Sequence, residues 1–147
     1  DFRCPGCKQT APDVIRIMQA NPDVRFIFKD WPILDRGDPA GPSHAAARLG
    51  QAAVAANSYV PVFLALMASG DMEPETLAAI AAEHGVPTDR WAAMQNDPEV
   101  ARRLMDAEIA GQALGLIGTP TFFINGRTTQ TIDPGELEAA IRTAKAQ

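Results

Sequence analysis

The sequence predicts an α/β fold in which a helical domain interrupts a small sheet that has helices packed beside it. Three observations support this fold class. A helix followed by a strand pattern occupies residues 1–28, alanine-rich helical sequence runs from about residue 43 to 116, and a strand, a hairpin and a helix follow. We therefore expect residues 1–40 and 117–147 to form one core and residues 41–116 to be the helical insertion.

The first helix is predicted to begin at Cys4–Pro5, because proline is favoured at the first helical position, where the missing N–H has no partner to lose. Its apolar pattern ends near Asn21–Pro22, and Pro12 is expected to kink it. Residues 24–28, Val-Arg-Phe-Ile-Phe, alternate and are rich in β-branched and aromatic side chains, so they predict a strand. Pro32 ends that strand.

The middle of the chain is predicted to hold four or five helices, because apolar residues recur there at spacings of three and four. Two helix starts stand out. Glu73–Pro74–Glu75 and Asp97–Pro98–Glu99 each place a proline and an acidic residue in the first turn.

After the helical block the sequence returns to strand patterns. Thr121–Ile124 predicts a strand, Asn125–Gly126 is a strong hairpin signal, and residues 128–132 are the expected return strand. Asp133 with Glu136 three residues later predicts the capped start of a last helix, whose apolar face should point to the core.

The composition is that of an ordinary globular domain. Of 147 residues, 46% are hydrophobic and 21% are charged. There are 13 Lys and Arg against 18 Asp and Glu, a net charge of -5, with no basic stripe, so we expect no nucleic-acid partner. No apolar run approaches the roughly 18 residues that a bilayer-spanning helix needs.

The two cysteines of the chain, Cys4 and Cys7, stand three residues apart, with Pro5 and Gly6 between them. A structural disulfide gains most by closing a long loop, and a disulfide-stabilised mini-protein carries more cysteines. This pair therefore favours redox chemistry. Cys4, at the start of a helix, should be the attacking thiolate, because helix N–H groups favour negative charge, and Cys7 should resolve the mixed disulfide.

A zinc site is the alternative that the cysteine spacing also allows. Zinc needs four ligands, and only His44 and His84 remain as nitrogen donors, far off and without finger spacing, so no metal site is predicted. Two thiolates could still bind copper(I) as a side activity.

Two distant segments together resemble one family. Phe2–Lys8 resembles the active site of the thioredoxin fold, and Ile117–Gly126 resembles the segment that holds the cis-proline of that fold. Phe28–Leu34 resembles a strand end of DsbA-like proteins, whose core is also interrupted by a helical domain. The chain is therefore identified as resembling a DsbA-like thiol-disulfide oxidoreductase of the thioredoxin superfamily.

The resemblance assigns roles to the residues around the cysteines. It implies that Pro120 is cis and lies against the cysteine pair, where it limits metal capture. It implies that the Thr119 backbone binds a substrate peptide as an added strand. Pro5 and Gly6 would tune the redox potential, and since Gly6 brings no charge we expect a milder oxidant than DsbA.

The same resemblance implies the partners and the compartment. They are protein or peptide thiols and disulfides, with a redox partner protein, in the periplasm or another extracytoplasmic compartment. No organic cofactor is expected, because the sulfur pair itself carries the electrons.

One departure from the family concerns the start of the chain. The family places a central strand directly before the cysteine motif, whereas only Asp1–Arg3 precede Cys4 here. We therefore expect this sequence to be part of a longer chain whose N-terminal strand and signal sequence are missing. An isomerase or reductase is the alternative enzyme, and it would require homo-oligomers formed through that segment. A copper-binding or redox-sensing module without turnover is the alternative outside enzymes.

The remaining polar and aromatic candidates receive structural interpretations. His44 and His84 are expected on helix surfaces, without a catalytic role. Asp30 is expected to be solvated, with a proton relay to the cysteine pair as the alternative. Trp31 and Trp91 are expected to pack rather than to bind peptide.

Overall fold

The computed structural model describes residues 1–129 and 131–146 and, within them, contains seven α-helices and one short hairpin. The elements are α1 Pro5–Ala20, a 3-10 turn Ile33–Asp35, α2 Pro42–Ala55, α3 Tyr59–Ala68, α4 Pro74–Glu83, α5 Thr88–Gln95, α6 Pro98–Ala113, β1 Phe123–Ile124, β2 Arg127–Thr128 and α7 Pro134–Lys145. Of the helices in the described ranges, none is long and apolar enough to cross a bilayer.

Five of the helices begin with proline. The helix starts predicted at Cys4–Pro5, Glu73–Pro74, Asp97–Pro98 and Asp133 are among them. Asp97 caps α6 by accepting a hydrogen bond from the Glu99 N–H at 2.8 Å, and Asp133 caps α7 through the Glu136 N–H at 2.9 Å. Each such cap is worth about 1 kcal/mol. Pro12 lies inside α1, whose helical span continues to Ala20.

The main core joins the start of the chain to the helical block. It contains side chains from the first segment and α1 together with side chains of α2, α3, α4 and α6, so these elements share one apolar interior. Its buried members include Phe2, Ile15, Leu49, Leu66, Leu77, Val100 and Leu104.

A second, smaller core lies between α1 and α7. Ile17 of α1 packs with Leu137 and Ile141 of α7, and the last two are 5% and 9% exposed, which confirms the predicted inward face of α7. Two extended segments cover these helices with their half-buried side chains, namely Val24, Phe26, Phe122 and Ile124.

The hairpin is shorter than predicted. β1 pairs with β2 in antiparallel register, Phe123 opposite Thr128 and Ile124 opposite Arg127. Asn125 and Gly126 have φ values of 48° and 80°, the positive angles that a tight two-residue hairpin turn requires. The return strand predicted at residues 128–132 thus ends at Thr128, and Gln130 lies outside the described residues.

The prediction of a strand at residues 24–28 is wrong, although the alternating burial expected of a strand is observed there. Val24, Phe26 and Phe28 are half-buried while Arg25 and Ile27 are exposed, which is the period-two alternation of an extended chain. A strand is defined by backbone pairing, and in the described ranges the sheet contains only β1 and β2. Alternation therefore predicted the conformation of this segment but not its hydrogen bonds.

A close contact between α6 and Trp31 leads to a stability prediction. A Cβ atom added at Gly111 would lie 2.7–2.9 Å from three atoms of the buried Trp31 ring. We expect Gly111→Ala to lower the free energy of unfolding by about 1–2 kcal/mol, because overpacking outweighs the roughly 1 kcal/mol that alanine gains over glycine in a helix. Urea denaturation followed by circular dichroism would measure it.

Gly50→Ala in α2 is the matched control for this prediction. Its added Cβ would meet Phe2 at 3.5 Å, an ordinary van der Waals distance, so the substitution should be neutral or stabilising by up to about 1 kcal/mol. If the two substitutions changed the free energy of unfolding equally, the close contact with Trp31 would not be the cause of the destabilisation.

Candidate active site

The two cysteines occupy different environments at the start of α1. Cys4 is the N-cap residue, with extended backbone angles of -69° and 123°, and its carbonyl accepts a hydrogen bond from the Lys8 N–H at 3.0 Å. Cys7 lies one turn into the helix and is only 6% exposed, whereas Cys4 is half-buried. Both are free thiols in this structure.

The loop before β1 completes the site from 115 residues away. The Cys4 thiol donates a hydrogen bond to the Thr119 carbonyl at 3.1 Å, and the Thr119–Pro120 peptide bond is cis. A Cβ atom at Gly6 would lie 3.2 Å from the Pro120 ring, so glycine allows this loop to approach the cysteine turn closely. The structure thus brings together all six residues that the sequence singled out, namely Cys4, Pro5, Gly6, Cys7, Thr119 and Pro120.

The environments shift the two thiols in opposite directions. Burial would raise the pKa of Cys4, but hydrogen bonds from Thr119, Cys7 and Gly6 outweigh it, so the net pKa is lowered. Burial dominates at Cys7 and raises its pKa. Cys4 is therefore the better nucleophile of the pair near neutral pH, and Cys7 tends to remain protonated until it is needed.

Thr119 is half-buried, and its hydroxyl oxygen is out of contact with solvent. Thr119 lowers the pKa of both thiols. Its hydroxyl nevertheless lacks any partner with good hydrogen-bond geometry in the described part of the chain. A hydroxyl hydrogen can rotate about its C–O bond, and a donor of this kind favours a thiolate over a thiol.

Thr119→Val should slow the alkylation of Cys4 at neutral pH by about threefold to tenfold, the equivalent of one lost hydrogen bond. Valine keeps the shape and the backbone carbonyl but removes the hydroxyl, so the pKa of Cys4 should rise. The pH profile of iodoacetamide alkylation measures this shift, with Thr128→Val on the exposed β2 strand as the control. An unchanged profile would show that the hydroxyl does not act on Cys4.

His44 is not on the surface, and the prediction for it is wrong. It is 8% exposed, and its Nδ1 lies 2.9 Å from Oδ2 of Asp35. The sequence did not single out Asp35, because its hydrogen-bond partners Arg3, Ser43 and His44 lie on other segments of the chain. His84 is half-buried at the end of α4.

Asp30 is also less exposed than predicted. Its carboxylate accepts hydrogen bonds from the Gln51 amide at 2.9 Å and the Tyr59 hydroxyl at 3.4 Å, and burial raises its pKa. The two tryptophans pack as predicted, because Trp31 is 9% exposed and Trp91 lies against the main core.

Within the described ranges, metal-binding side chains do not gather around the cysteines. Among the residues that the structure describes, no three His, Cys, Asp or Glu side chains come together as a metal site. Cys4 and Cys7 therefore offer at most a two-sulfur site within these residues.

Comparison with known proteins places the whole chain in one fold. A family model described as thioredoxin matches residues 1–143. A thioredoxin-like oxidoreductase from Silicibacter pomeroyi is 29% identical, with a TM-score of 0.87 over 100% of this chain and 83% of that one. The thiol-disulfide exchange protein alpha-DsbA2 from Wolbachia pipientis is 21% identical, with a TM-score of 0.85 over 97% of this chain and 77% of that one. These matches confirm the predicted thioredoxin-like fold class with a helical insertion.

Two curated relatives are much longer than this chain. A protein named Na(+)/H(+) antiporter NhaA 3 from Salinispora tropica is 30% identical over 128 residues, which are 86% of this chain and 19% of that protein. NhaA 1 from Salinispora arenicola is 28% identical over the same proportions. The chain thus spans about a fifth of the length of these relatives.

Proposed function

The chain belongs to the thioredoxin family, and from that premise we propose that it is a DsbA-like member that exchanges disulfides with protein substrates through Cys4 and Cys7. One observation carries the proposal most directly. A half-buried cysteine of lowered pKa lies beside a buried cysteine of raised pKa, against the carbonyl before a cis-proline. This asymmetry is what a nucleophile and a resolving thiol require.

In the oxidase direction, a substrate thiolate attacks Cys4 Sγ of the Cys4–Cys7 disulfide. The bond between the two sulfurs breaks, and Cys7 leaves as a thiolate that takes up a proton. A second substrate thiolate then attacks the substrate sulfur of the mixed disulfide and releases the Cys4 thiolate. The substrate loses two electrons and two protons, and the cysteine pair gains two electrons, to be returned to a redox partner protein.

The properties of Cys4 and of the adjacent Thr119 backbone fit both steps of the exchange. Its lowered pKa makes it a good leaving group in the second step, because a thiol of low pKa leaves faster. The Thr119 backbone would pair with the extended substrate next to the reacting sulfur, as strand addition does elsewhere. Protein or peptide thiols are therefore the proposed substrates, and Thr119 and Pro120 the residues that orient them.

The proposed compartment is extracytoplasmic, where dithiol oxidation is favoured. A similar solved structure is described as a periplasmic thioredoxin-like protein from Salmonella enterica serovar Typhimurium, 22% identical with a TM-score of 0.84 over 100% of this chain.

The reduction potential of the Cys4–Cys7 pair tests the direction of exchange. Equilibration with glutathione buffers, followed by thiol trapping and mass spectrometry, measures it. We expect a value between about -120 mV, as for DsbA, and about -270 mV, as for thioredoxin, because Gly6 adds no charge that stabilises the thiolate and the pair is then less oxidising than that of DsbA.

Two outcomes would change this proposal. A value near about -270 mV would mean a reductase or isomerase rather than an oxidase. If no intramolecular disulfide formed in any buffer, exchange through this pair would be wrong, and a copper titration would then test the metal-binding alternative.

A further inference from the structure

A buried carboxylate outside the exchange steps lies directly behind the turn that carries Cys4. The Asp35 side chain is 1% exposed. It accepts hydrogen bonds from the Ser43 N–H at 3.2 Å, the His44 N–H at 2.7 Å and the Arg3 guanidinium at 2.9 Å, and its Oδ2 lies 2.9 Å from His44 Nδ1. It thus caps the start of α2 from a distance and binds the residue next to Cys4 at the same time.

A second carboxylate repeats this bridge. Asp1 accepts hydrogen bonds from the Leu34 N–H at 2.9 Å, the Ser43 hydroxyl at 2.9 Å and the Arg3 N–H at 2.8 Å. Residues 1–4, which we call the approach turn, are therefore tied to the 3-10 turn and to α2 by two acidic side chains. Phe2, which is 2% exposed, is the apolar anchor of the same turn.

The approach turn is in direct contact with both halves of the cysteine pair. The main-chain nitrogen of Asp1 lies 3.6 Å from Cys7 Sγ, and the Asp1 carbonyl accepts the Cys4 N–H at 3.2 Å. A shift of this turn would therefore move a donor away from one sulfur and displace the backbone of the other.

The Asp35 carboxylate packs directly against the backbone of Gly41. A Cβ atom at Gly41 would collide with the Asp35 side chain, so only glycine lets Asp35 reach the first N–H groups of α2. Burial would raise the pKa of Asp35, but the hydrogen bonds from His44 and Ser43 outweigh it and lower the pKa, so the group is charged at neutral pH.

We propose that Asp35 is a positioning residue for the Cys4–Cys7 pair, holding the approach turn against the two sulfurs through its shared bonds to Arg3 and to the start of α2. The inference rests on the proposed disulfide exchange and adds a residue that acts through others rather than on substrate. Donors held in place stabilise a thiolate better than donors that must be ordered first, so Asp35 should favour the reduced form of the pair.

Asp35→Asn in the full chain tests the proposal. Asparagine has nearly the same shape but no charge, so the hold on Arg3 weakens while the site is not opened. We expect the equilibrium with glutathione to shift toward the disulfide by roughly threefold to tenfold, the equivalent of one hydrogen bond, and the pKa of Cys4 to rise. Asp13→Asn removes an exposed charge from α1 without touching the approach turn and should leave both quantities unchanged.

Arg3→Gln is the second variant, because Asp35→Asn could unfold the start of α2. It breaks only the link from the approach turn to Asp35 and keeps the cap of α2. A shift toward the disulfide is expected here too, since the loss of the cation and of the link both disfavour the thiolate.

The outcomes separate this inference from the proposed function. If the unmodified chain forms no disulfide, the exchange function fails and the inference with it. If the unmodified chain forms one, but both variants leave the equilibrium and the pH profile unchanged, the positioning role is wrong and the function stands. A shift toward the dithiol in Asp35→Asn would also overturn it, since it would mean that the carboxylate acts only by its charge.

Discussion

When the dithiol form reduces a substrate disulfide, replacing Cys4 with serine is expected to lower the exchange to the uncatalysed background, whereas Cys7→Ser should keep the attack on the substrate and stop its resolution. A serine hydroxyl cannot form a disulfide, so Cys4→Ser removes the sulfur that attacks the substrate disulfide. Cys7→Ser leaves the Cys4 thiolate in place but without a resolving thiol, so a mixed disulfide should accumulate. Turnover in an insulin-reduction assay, together with mass spectrometry of the trapped species, distinguishes the two variants.

Each variant serves as the matched control of the other, since the same atom change is made one helical turn apart. Urea denaturation of both would show that the fold is kept. If Cys4→Ser accumulated the mixed disulfide and Cys7→Ser did not, the roles of the two cysteines would be reversed. That result would contradict the assignment made from the exposure and the pKa shifts.

The parts of the candidate site could be located in the sequence because each part is a local motif. A cysteine followed by proline at a helix start, and a proline before an apolar strand, are each recognisable within a few residues. The contact between them joins residues 115 positions apart, and it is implied by the resemblance to a known family, not by the spacing of the residues. The helix starts at Pro74, Pro98 and Pro134 were predictable for the same local reason.

Strand pairing and the burial of polar side chains could not be predicted, because both depend on residues that are distant along the chain. Residues 24–28 have the alternation of a strand, but pairing is a property of two segments and was absent from the pattern. His44 and Asp30 are ordinary polar residues in sequence, and only the packing of Asp35, Gln51 and Tyr59 around them makes them buried. Burial of a polar group follows from its hydrogen-bond partners, and these lie on other elements.

The helical insertion predicted at residues 41–116 shares buried side chains with the rest of the chain. The main core combines Phe2 and Ile15 with apolar residues of α2, α3, α4 and α6. A helical insertion that shared its interior with the cysteine helix in this way would not unfold separately from it. We therefore propose that residues 41–116, although they interrupt the core in sequence, form one cooperative unit with it.

Leu66→Ala is expected to test this unit with a large effect on stability. Leu66 of α3 is fully buried in the main core, so its truncation should lower the free energy of unfolding by about 2–5 kcal/mol. Leu114→Ala is the matched control, because Leu114 is 61% exposed and the same substitution there should cost within about 0.5 kcal/mol. Urea denaturation should be followed by both circular dichroism and the labelling of Cys7.

The two probes report on different parts of the molecule, which is what makes the test decisive. Circular dichroism is dominated by the helices of residues 41–116, whereas Cys7 is buried in α1, so its labelling reports the opening of that helix. Coincident transitions in the unmodified chain and in Leu66→Ala would mean that the insertion and the site unfold together. Loss of helical signal while Cys7 stays protected would mean that α1 keeps its structure without the insertion, and the shared core would then contribute little to holding the cysteine pair.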